Sequence, residues 1–249
     1  MGMGFLRRRV PRPTAVGFDQ FWMRRMSTAF QPIRCLRTGQ VIGVEALARF
    51  PSMTPAEFFA QADASGLKTE VELVAIEKAL AAGERLPPGL YLSVNLSPRT
   101  LLDPRLEATL DASGVARSRV VPELTEDNHI QDYRALASGL RPLRDHGIRF
   151  AIDDLGAGYS CLRHLIELEP DFVKVDRQLV AGINQNPIRR ALGVALVGFA
   201  RDTGTLLVAE GVETESERAT VAALGFDAGQ GHLLGRPTVC AETWGEWRP

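Results

Sequence analysis

The segment IRFAIDDLGAGYS, residues 148–160, joins an apolar run to two adjacent acids and a loop that contains glycine. The apolar run at 148–152 predicts a buried strand, which we place at 148–153. Asp153 and Asp154 end this strand, and the glycines that follow allow the loop to bend sharply enough to aim both carboxylates. The segment therefore raises the question of what two adjacent negative charges do at the end of a buried strand.

The composition is that of an ordinary globular protein. The chain has 249 residues, of which 45% are hydrophobic and 24% charged, and this length suits one large domain better than two. Lys and Arg number 29 and Asp and Glu number 30, and the net charge of -1 gives no reason to expect binding to nucleic acid or a membrane surface. The longest apolar stretch, at 191–200, is too short to span a bilayer and predicts a buried helix.

The cysteines and the N-terminal segment indicate the cellular compartment and the start of the folded domain. Cys35, Cys161 and Cys240 form no CxxC pair, so neither a disulfide framework nor a zinc site is indicated. No apolar segment typical of a signal peptide follows the basic N-terminus, and we expect a cytoplasmic protein. We interpret residues 1–17 as an N-terminal tail or linker stub and residues 18–249 as one domain.

Short apolar segments alternate along the chain with longer amphipathic ones. The predicted strands cover residues 29–35, 40–46, 90–95, 119–124, 148–153, 172–175, 205–210 and 226–229. The predicted helices begin at Thr54 and at residues 69, 131, 160, 187 and 214, and the last five end at residues 83, 146, 168, 203 and 224.

This alternation predicts an α/β fold with a largely parallel sheet. About eight strands in a chain of this length favour a TIM-type (β/α)8 barrel. A doubly wound open sheet is the alternative, and the lack of a GxGxxG motif after an early strand disfavours it.

Most of the predicted strands carry a polar residue at or next to their end. These residues are Glu45, Asn95, Glu123, Asp153, Lys174, Glu210 and Gln230. A single acid in such a place is most often a helix cap or a turn former. In a barrel, however, the strand ends converge on the face that carries the active site, and a series of this kind indicates a shared site.

The side chains in this series, together with Asp154, offer carboxylate and amide oxygens and no thiolate. Such ligands favour magnesium, manganese or calcium over zinc. Clustered carboxylates repel one another unless cations neutralise them, and the size of the cluster predicts two ions. Two ions about 3.5–4 Å apart activate a water and stabilise both oxygens of an in-line phosphoryl displacement. We expect Asp153 to bridge the ions, Asp154 to reach only the second, and Lys174 to be a fixed donor beside them.

The segment VEALARF at 44–50 resembles the Glu-Ala-Leu motif that names the EAL family of cyclic di-GMP phosphodiesterases. Further segments resemble that family's motifs in its order: FQPI (30–33), SVNLS (93–97), ELTE (123–126), IDDLGAGYS (152–160), VKVD (173–176), AEGVET (209–214) and GQGHLLGRP (229–237). The resemblance implies a barrel with one antiparallel strand near its start. It also implies hydrolysis of cyclic di-GMP to linear pGpG with two Mg²⁺ or Mn²⁺ ions, which lowers a bacterial second messenger.

The resemblance also implies a role for individual residues. The first metal would have as ligands Glu45, Asn95, Glu123 and Asp153, and the second Asp153, Asp154 and Glu210. Lys174 resembles the lysine that holds or deprotonates the attacking water, and Glu210 is also a candidate general base. The substrate-side positions are those of Gln31, Leu47, Arg49, Asp176, Glu213 and Gln230. Arg49 suits a phosphate because a guanidinium grips it with two donors, and Glu126 matches the acid that steadies the loop after Asp154.

The loop sequence departs from the family's usual DDFGTGYSSL at Leu155, Ala157 and Cys161. Because Leu155 offers less packing surface than Phe and Ala157 lacks a hydroxyl, we expect the second metal to be less firmly held. The family pattern also leads us to expect a homodimer paired near this loop. A sensor or regulatory protein would supply the controlling input, which the sequence does not show.

Two other functions are alternatives to an active phosphodiesterase. One is a non-catalytic relative that acts as a cyclic di-GMP receptor or a protein-interaction module. Relatives of that kind usually lack one or more of the metal-binding acids, and this chain lacks none. The other is a different metal-dependent barrel hydrolase, which would require the motif matches to be coincidental.

Overall fold

A closed barrel of eight strands forms the centre of the computed structural model, which describes residues 23–125, 130, 132–156 and 161–247. The strands are β1 Ser27–Cys35, β2 Val41–Arg49, β3 Tyr91–Asn95, β4 Val120–Thr125, β5 Ala151–Leu155, β6 Phe172–Val175, β7 Leu206–Ala209 and β8 Ala228–Gly229. β1 pairs antiparallel with β2 and β8, and from β2 to β8 each strand pairs parallel with the next. The predicted TIM-type barrel with one antiparallel strand near its start is confirmed.

Helices cover the outside of the barrel. They are α1 Pro55–Ala64, α2 Lys68–Gly83, α3 Pro98–Leu101, α4 Arg105–Asp111, α5 Tyr133–Asp145, α6 Cys161–Leu168, α7 Arg177–Val180, α8 Pro187–Thr203, α9 Glu215–Leu224 and α10 Ala241–Glu246. The predicted start at Thr54 is confirmed, since its backbone N–H donates to the Glu57 carboxylate at 3.0 Å while its hydroxyl caps the Glu57 N–H. The sequence analysis missed α3, α4, α7 and α10, which are too short to show a periodic apolar pattern.

Three segments differ most from their predictions. The strand expected at 40–46 continues to Arg49, so Glu45 lies inside β2 and not at its end. The strand expected at 148–153 begins at Ala151 and continues to Leu155, so both adjacent acids lie within β5. The stretch at 191–200 is not a fully buried helix, because α8 packs one face on the barrel and leaves Leu192 and Val194 exposed. Among the helices of the described residues, none is both long enough and apolar enough to cross a membrane. The expected tail at 1–17 lies outside the described residues.

The floor of the barrel is a layer of inward-facing apolar side chains. One buried cluster contains Ile33, Tyr91, Val121, Ala151, Phe172, Val208 and Ala228, one residue from each strand except β2. Gly43 occupies the corresponding place on β2, where a Cβ would overlap the ring of Tyr91. The floor therefore closes the barrel below the point at which the strand ends converge.

Candidate active site at the carboxy-terminal end of the barrel

A layer of polar side chains lies directly above the apolar floor. Side chains two residues apart on a strand point to the same face, so the residue two positions beyond each floor residue also faces inward. On the parallel strands these residues are Glu45, Ser93, Glu123, Asp153, Lys174, Glu210 and Gln230, and on the antiparallel β1 the equivalent residue is Gln31. The sheet pairing continues past β7 and β8, where the N–H groups of Glu210 and Gln230 donate to the carbonyls of Val175 and Ala209. The sequence thus places its polar residues in one layer by strand periodicity.

The ammonium group of Lys174 lies at the centre of this layer. Its Nζ is 2.8 Å from Glu210 Oε1, 2.9 Å from Asp153 Oδ1, 3.0 Å from Glu123 Oε2 and 3.6 Å from Glu45 Oε2. The lysine side chain is only 2% exposed. One buried cation therefore faces four carboxylates, and the site carries an excess of negative charge.

Two overlapping groups of carboxylates have the geometry of metal sites. The first consists of Glu45, Glu123 and Asp153 and the second of Asp153, Asp154 and Glu210, with ligand atoms within 4.8 Å of one another in each group. Asp153 belongs to both groups, and its role as a bridging ligand stays a prediction. All of these donors are oxygens, so the residues fit hard divalent cations such as Mg²⁺ and Mn²⁺.

Asn95 lies at the edge of the first group. Its Nδ2 donates a hydrogen bond to Glu45 Oε1 at 3.0 Å. Because the amide nitrogen is used in this way, Oδ1 is the atom that Asn95 can offer to a cation. The predicted ligand position of Asn95 is therefore compatible with the amide orientation.

A backbone irregularity brings the two adjacent acids to the same site. Neighbouring side chains on a regular strand point to opposite faces, but the register between β5 and β6 shifts between Ile152 and Leu155. Asp154 has a φ of 58°, a left-handed conformation that Asp tolerates better than most residues. The Asp154 N–H donates to Asp153 Oδ1 at 3.0 Å. The bend thus begins at Asp154 itself, and the predicted glycine loop is only part of its cause.

Burial and charge both change the acidity of these groups. Burial raises the pKa values of Glu123, Asp153 and Glu210, neighbouring carboxylates raise them further, and Lys174 only partly offsets this. Burial and Asp153 raise the pKa of Asp154 to about 6. Burial alone would lower the pKa of Lys174, but the surrounding carboxylates raise it well above its ordinary value. A single lysine is therefore too little positive charge for the cluster, which divalent cations would complete.

The cluster opens into a cleft of about 470 Å³. Its lining contains Gln31, Glu45, Asn95, Asp153, Asp154, Glu210, Glu213 and Gln230. A separate, largely apolar cavity of about 250 Å³ lies beside the cleft and shares Asn95 with it. Leu47 and Arg49 line that second cavity, so the substrate-side positions are distributed over two adjoining spaces.

Two predicted residues have other placements, and two more are not described by the structure. Asp176 lines neither of the two cavities, and its carboxylate caps α7 by accepting the Gln178 N–H at 2.8 Å. Glu126 lies outside the described residues. Leu155, which we assigned to the loop, is a buried core residue of β5, and Ala157 is outside the described residues.

Sequence reasoning missed Arg177, which also lines the cleft. Its Nη2 lies 3.0 Å from Glu213 Oε2. The stem of Arg177 packs against Gly211, where a Cβ would overlap it. The signal in the sequence was a basic residue directly after Asp176, at the end of a predicted strand.

Fold and site together define an α/β-barrel protein with an acidic, oxygen-only candidate metal site at the carboxy-terminal end of its strands. A family profile described as the EAL domain matches residues 19–237. The chain belongs to the EAL domain family.

Sequence matches to known proteins cover most of this chain. It is 34% identical over 226 residues to the uncharacterized protein y4lL of Sinorhizobium fredii, a match that covers 87% of this chain and 27% of that protein. It is 28% identical over 230 residues to the cyclic di-GMP phosphodiesterase PdeL of Escherichia coli, which covers 87% of this chain and 64% of PdeL.

Among solved structures, the chain is similar to BlrP1 of Klebsiella pneumoniae. A manganese and cy-diGMP complex matches with a TM-score of 0.78 and 34% identity, covering 86% of this chain and 56% of that one. A calcium and cy-diGMP complex matches with a TM-score of 0.79 and 33% identity, covering 92% and 58%. The chain thus spans less than two thirds of each of these relatives.

The raised carboxylate pKa values predict that the metal-free protein loses stability as pH rises from about 4 to about 8. The pKa of Asp154 is about 6 in the folded protein and ordinarily 3.8, so the folded state binds more protons than the unfolded chain between these values. This contribution is complete below pH 3.8 and is lost as pH rises through 6. The raised pKa values of Glu123, Asp153 and Glu210 act in the same direction. Mn²⁺ should reverse the trend because it binds the ionised carboxylates.

Melting temperatures at pH 5 and pH 8, with EDTA or with Mn²⁺, measure this effect. Asp154→Asn should reduce the loss of stability in EDTA, whereas the matched change Asp202→Asn, at an exposed position, should leave it unchanged. An Asp154→Asn protein with the same pH dependence as the parent would contradict the assignment.

Proposed function

We propose that this chain hydrolyses cyclic di-GMP to linear pGpG with two divalent cations, Mg²⁺ or Mn²⁺, and so lowers the level of a bacterial second messenger. The observation that carries the proposal is that Asp153 belongs to two overlapping carboxylate groups of the kind that holds a pair of ions. The name of PdeL and the ligands of the BlrP1 complexes support the choice of substrate. Two neighbouring metal ions of this kind promote the hydrolysis of phosphate diesters, and cyclic di-GMP is a phosphate diester.

The proposed mechanism divides the work among the residues of the polar layer. Glu45, Asn95, Glu123 and Asp153 would hold the first ion, and Asp153, Asp154 and Glu210 the second. When bound, such ions activate a water and stabilise charge on the reacting phosphate.

The roles of Lys174 and Glu210 follow from their places in the cluster. The four carboxylates around Lys174 raise its pKa, so its ammonium group keeps its protons. In this proposal Lys174 is a hydrogen-bond donor that holds the attacking water, as its ammonium group donates to Glu123 Oε2 at 3.0 Å in the metal-free protein. Glu210 lines the cleft, 2.8 Å from Lys174, and would be the proton acceptor once bound cations favour its ionised form.

The two adjoining spaces suit a ligand with two nucleotide halves. The reacting phosphate would lie in the acidic cleft above Lys174, where the candidate metal ligands converge. Arg49 and Leu47 would contact the other half in the apolar cavity beside Asn95. Arg49 would grip phosphate through its guanidinium, which can donate two hydrogen bonds to one group.

Turnover of cyclic di-GMP by the purified chain tests the proposal. We expect Mg²⁺ or Mn²⁺ to support formation of pGpG, EDTA to abolish it and Ca²⁺ to support little, because the larger and looser calcium shell positions a water poorly.

Glu45→Ala should lower kcat by more than the ~10–100-fold typical of residues that only hold a metal ligand in place. Arg49→Ala should mainly raise KM, because its role is binding.

The matched control is Glu77→Ala, at an exposed position on α2, which should behave as the parent. Equal, modest rises in KM for the Glu45 and Arg49 variants with unchanged kcat would show the roles to be wrong. Tight binding of cyclic di-GMP by the parent without turnover would favour the receptor function instead.

We also propose a homodimer, with a sensor or regulatory protein as the source of control. Leu162 and Ile166 lie one turn apart on α6, the helix that follows the loop after β5, and are 66% and 72% exposed. A second copy would cover this apolar face. Sedimentation over a concentration series should show that Leu162→Lys with Ile166→Lys weakens the dimer, whereas Ile188→Lys, at an exposed position on α8, does not. Identical association of all three proteins would reject this face.

A further inference from the structure

A series of amide hydrogen bonds connects Glu45 to the backbone of the segment that follows β8. Gln230 Nε2 donates to Glu45 Oε2 at 2.6 Å and to Gln31 Oε1 at 3.0 Å. Gln31 Nε2 in turn donates to the carbonyl oxygen of Gly235 at 3.0 Å. The three side chains are buried. The hydrogen bonds thus run from Glu45 on β2 to Gln230, directly after β8, and from there through Gln31 on β1 to Gly235.

Both amide hydrogens of Gln230 are used within the protein, which leaves none to bind a phosphate. An amide nitrogen has two hydrogens to donate, and those of Gln230 are directed at Glu45 and Gln31. The remaining polar atom, Oε1, accepts no hydrogen bond from the described residues, and as an acceptor it would repel a phosphate oxygen. The substrate-side position that family resemblance assigns to Gln230 therefore does not explain how its amide is used.

The same contacts fix the orientation of the Glu45 carboxylate. Its Oε1 accepts from Asn95 Nδ2 at 3.0 Å, and its Oε2 accepts from Gln230 Nε2. Neutral amides thus orient both oxygens without removing the negative charge that a cation needs. Partners that orient a metal ligand in this way commonly decide how tightly the metal binds.

We propose that Gln230, supported by Gln31, is a positioning residue that holds the Glu45 carboxylate for a divalent cation. The inference rests on the metal site of the proposed function but not on the identity of its substrate. The side-chain hydrogen bonds of Gln31 are with Gln230 and Gly235 and not with Glu45, so we expect its contribution to be the smaller of the two.

Calorimetric titration of the metal-free chain with Mn²⁺, in the absence of nucleotide, tests the inference. Gln230→Leu should weaken Mn²⁺ binding ~10–100-fold, and Gln31→Leu should weaken it less. The control Gln61→Leu, at an exposed position on α1, should bind as the parent does. If Gln230→Leu does not fold, Gln230→Met keeps the length of the side chain, removes both donors and takes its place.

A double-mutant cycle separates positioning of Glu45 from a general structural effect. In the Glu45→Ala background, Gln230→Leu should cause no further loss of Mn²⁺ affinity, because its partner is absent. An equal loss in both backgrounds would contradict the inference. So would parental Mn²⁺ binding by Gln230→Leu with a raised KM for cyclic di-GMP, since Gln230 would then contact substrate. A parent chain that binds Mn²⁺ but does not cleave cyclic di-GMP would defeat only the proposed function.

Discussion

The contact of one buried ammonium group with four carboxylates organises the whole site. Lys174 extends from β6 into the barrel and meets acids from β2, β4, β5 and the end of β7. Removing one partner of a buried ion pair typically costs about 3–5 kcal/mol, because the charge left behind has neither water nor a partner. One ammonium group nevertheless does not balance the charge of four carboxylates. The arrangement that holds the acids together therefore leaves an excess of negative charge that further cations would neutralise. The candidate metal site is the result of that imbalance.

The barrel makes this arrangement by strand periodicity. Each strand contributes a floor position and, two residues further on along the parallel strands, a polar side chain above it, so the register of the sheet sets the height of every ligand. Strand periodicity does not explain the position of Asp154, because its neighbour Asp153 already faces the site. The left-handed backbone of Asp154 and the shifted register between β5 and β6 turn a residue of the opposite face into the same cluster. Of the two adjacent acids, Asp153 thus follows the strand periodicity and Asp154 is displaced from it.

Much of the fold and most of the site were predictable from the sequence, for physical reasons that also explain the errors. Apolar runs of a few residues predicted the strands well because buried parallel strands have little polar sequence. The convergence of parallel strand ends predicted that Glu45, Glu123, Asp153 and Glu210 lie together, and the four side chains do surround Lys174. The start of β5 and the short helices were misplaced or missed because irregular backbone and segments of one or two turns leave no periodic pattern. The sequence also does not indicate the direction of side-chain hydrogen bonds. That Gln230 donates to both Glu45 and Gln31 follows only from the three-dimensional structure.

The central claim is that the acids around Lys174 hold two divalent cations that share Asp153. Anomalous diffraction from crystals grown with Mn²⁺, measured at the manganese absorption edge, tests it most directly and needs no substrate. The account predicts two anomalous peaks in the cleft, one beside Glu45, Glu123 and Asp153 and the other beside Asp153, Asp154 and Glu210. A single peak, or a pair of peaks of which only one contacts Asp153, would contradict it.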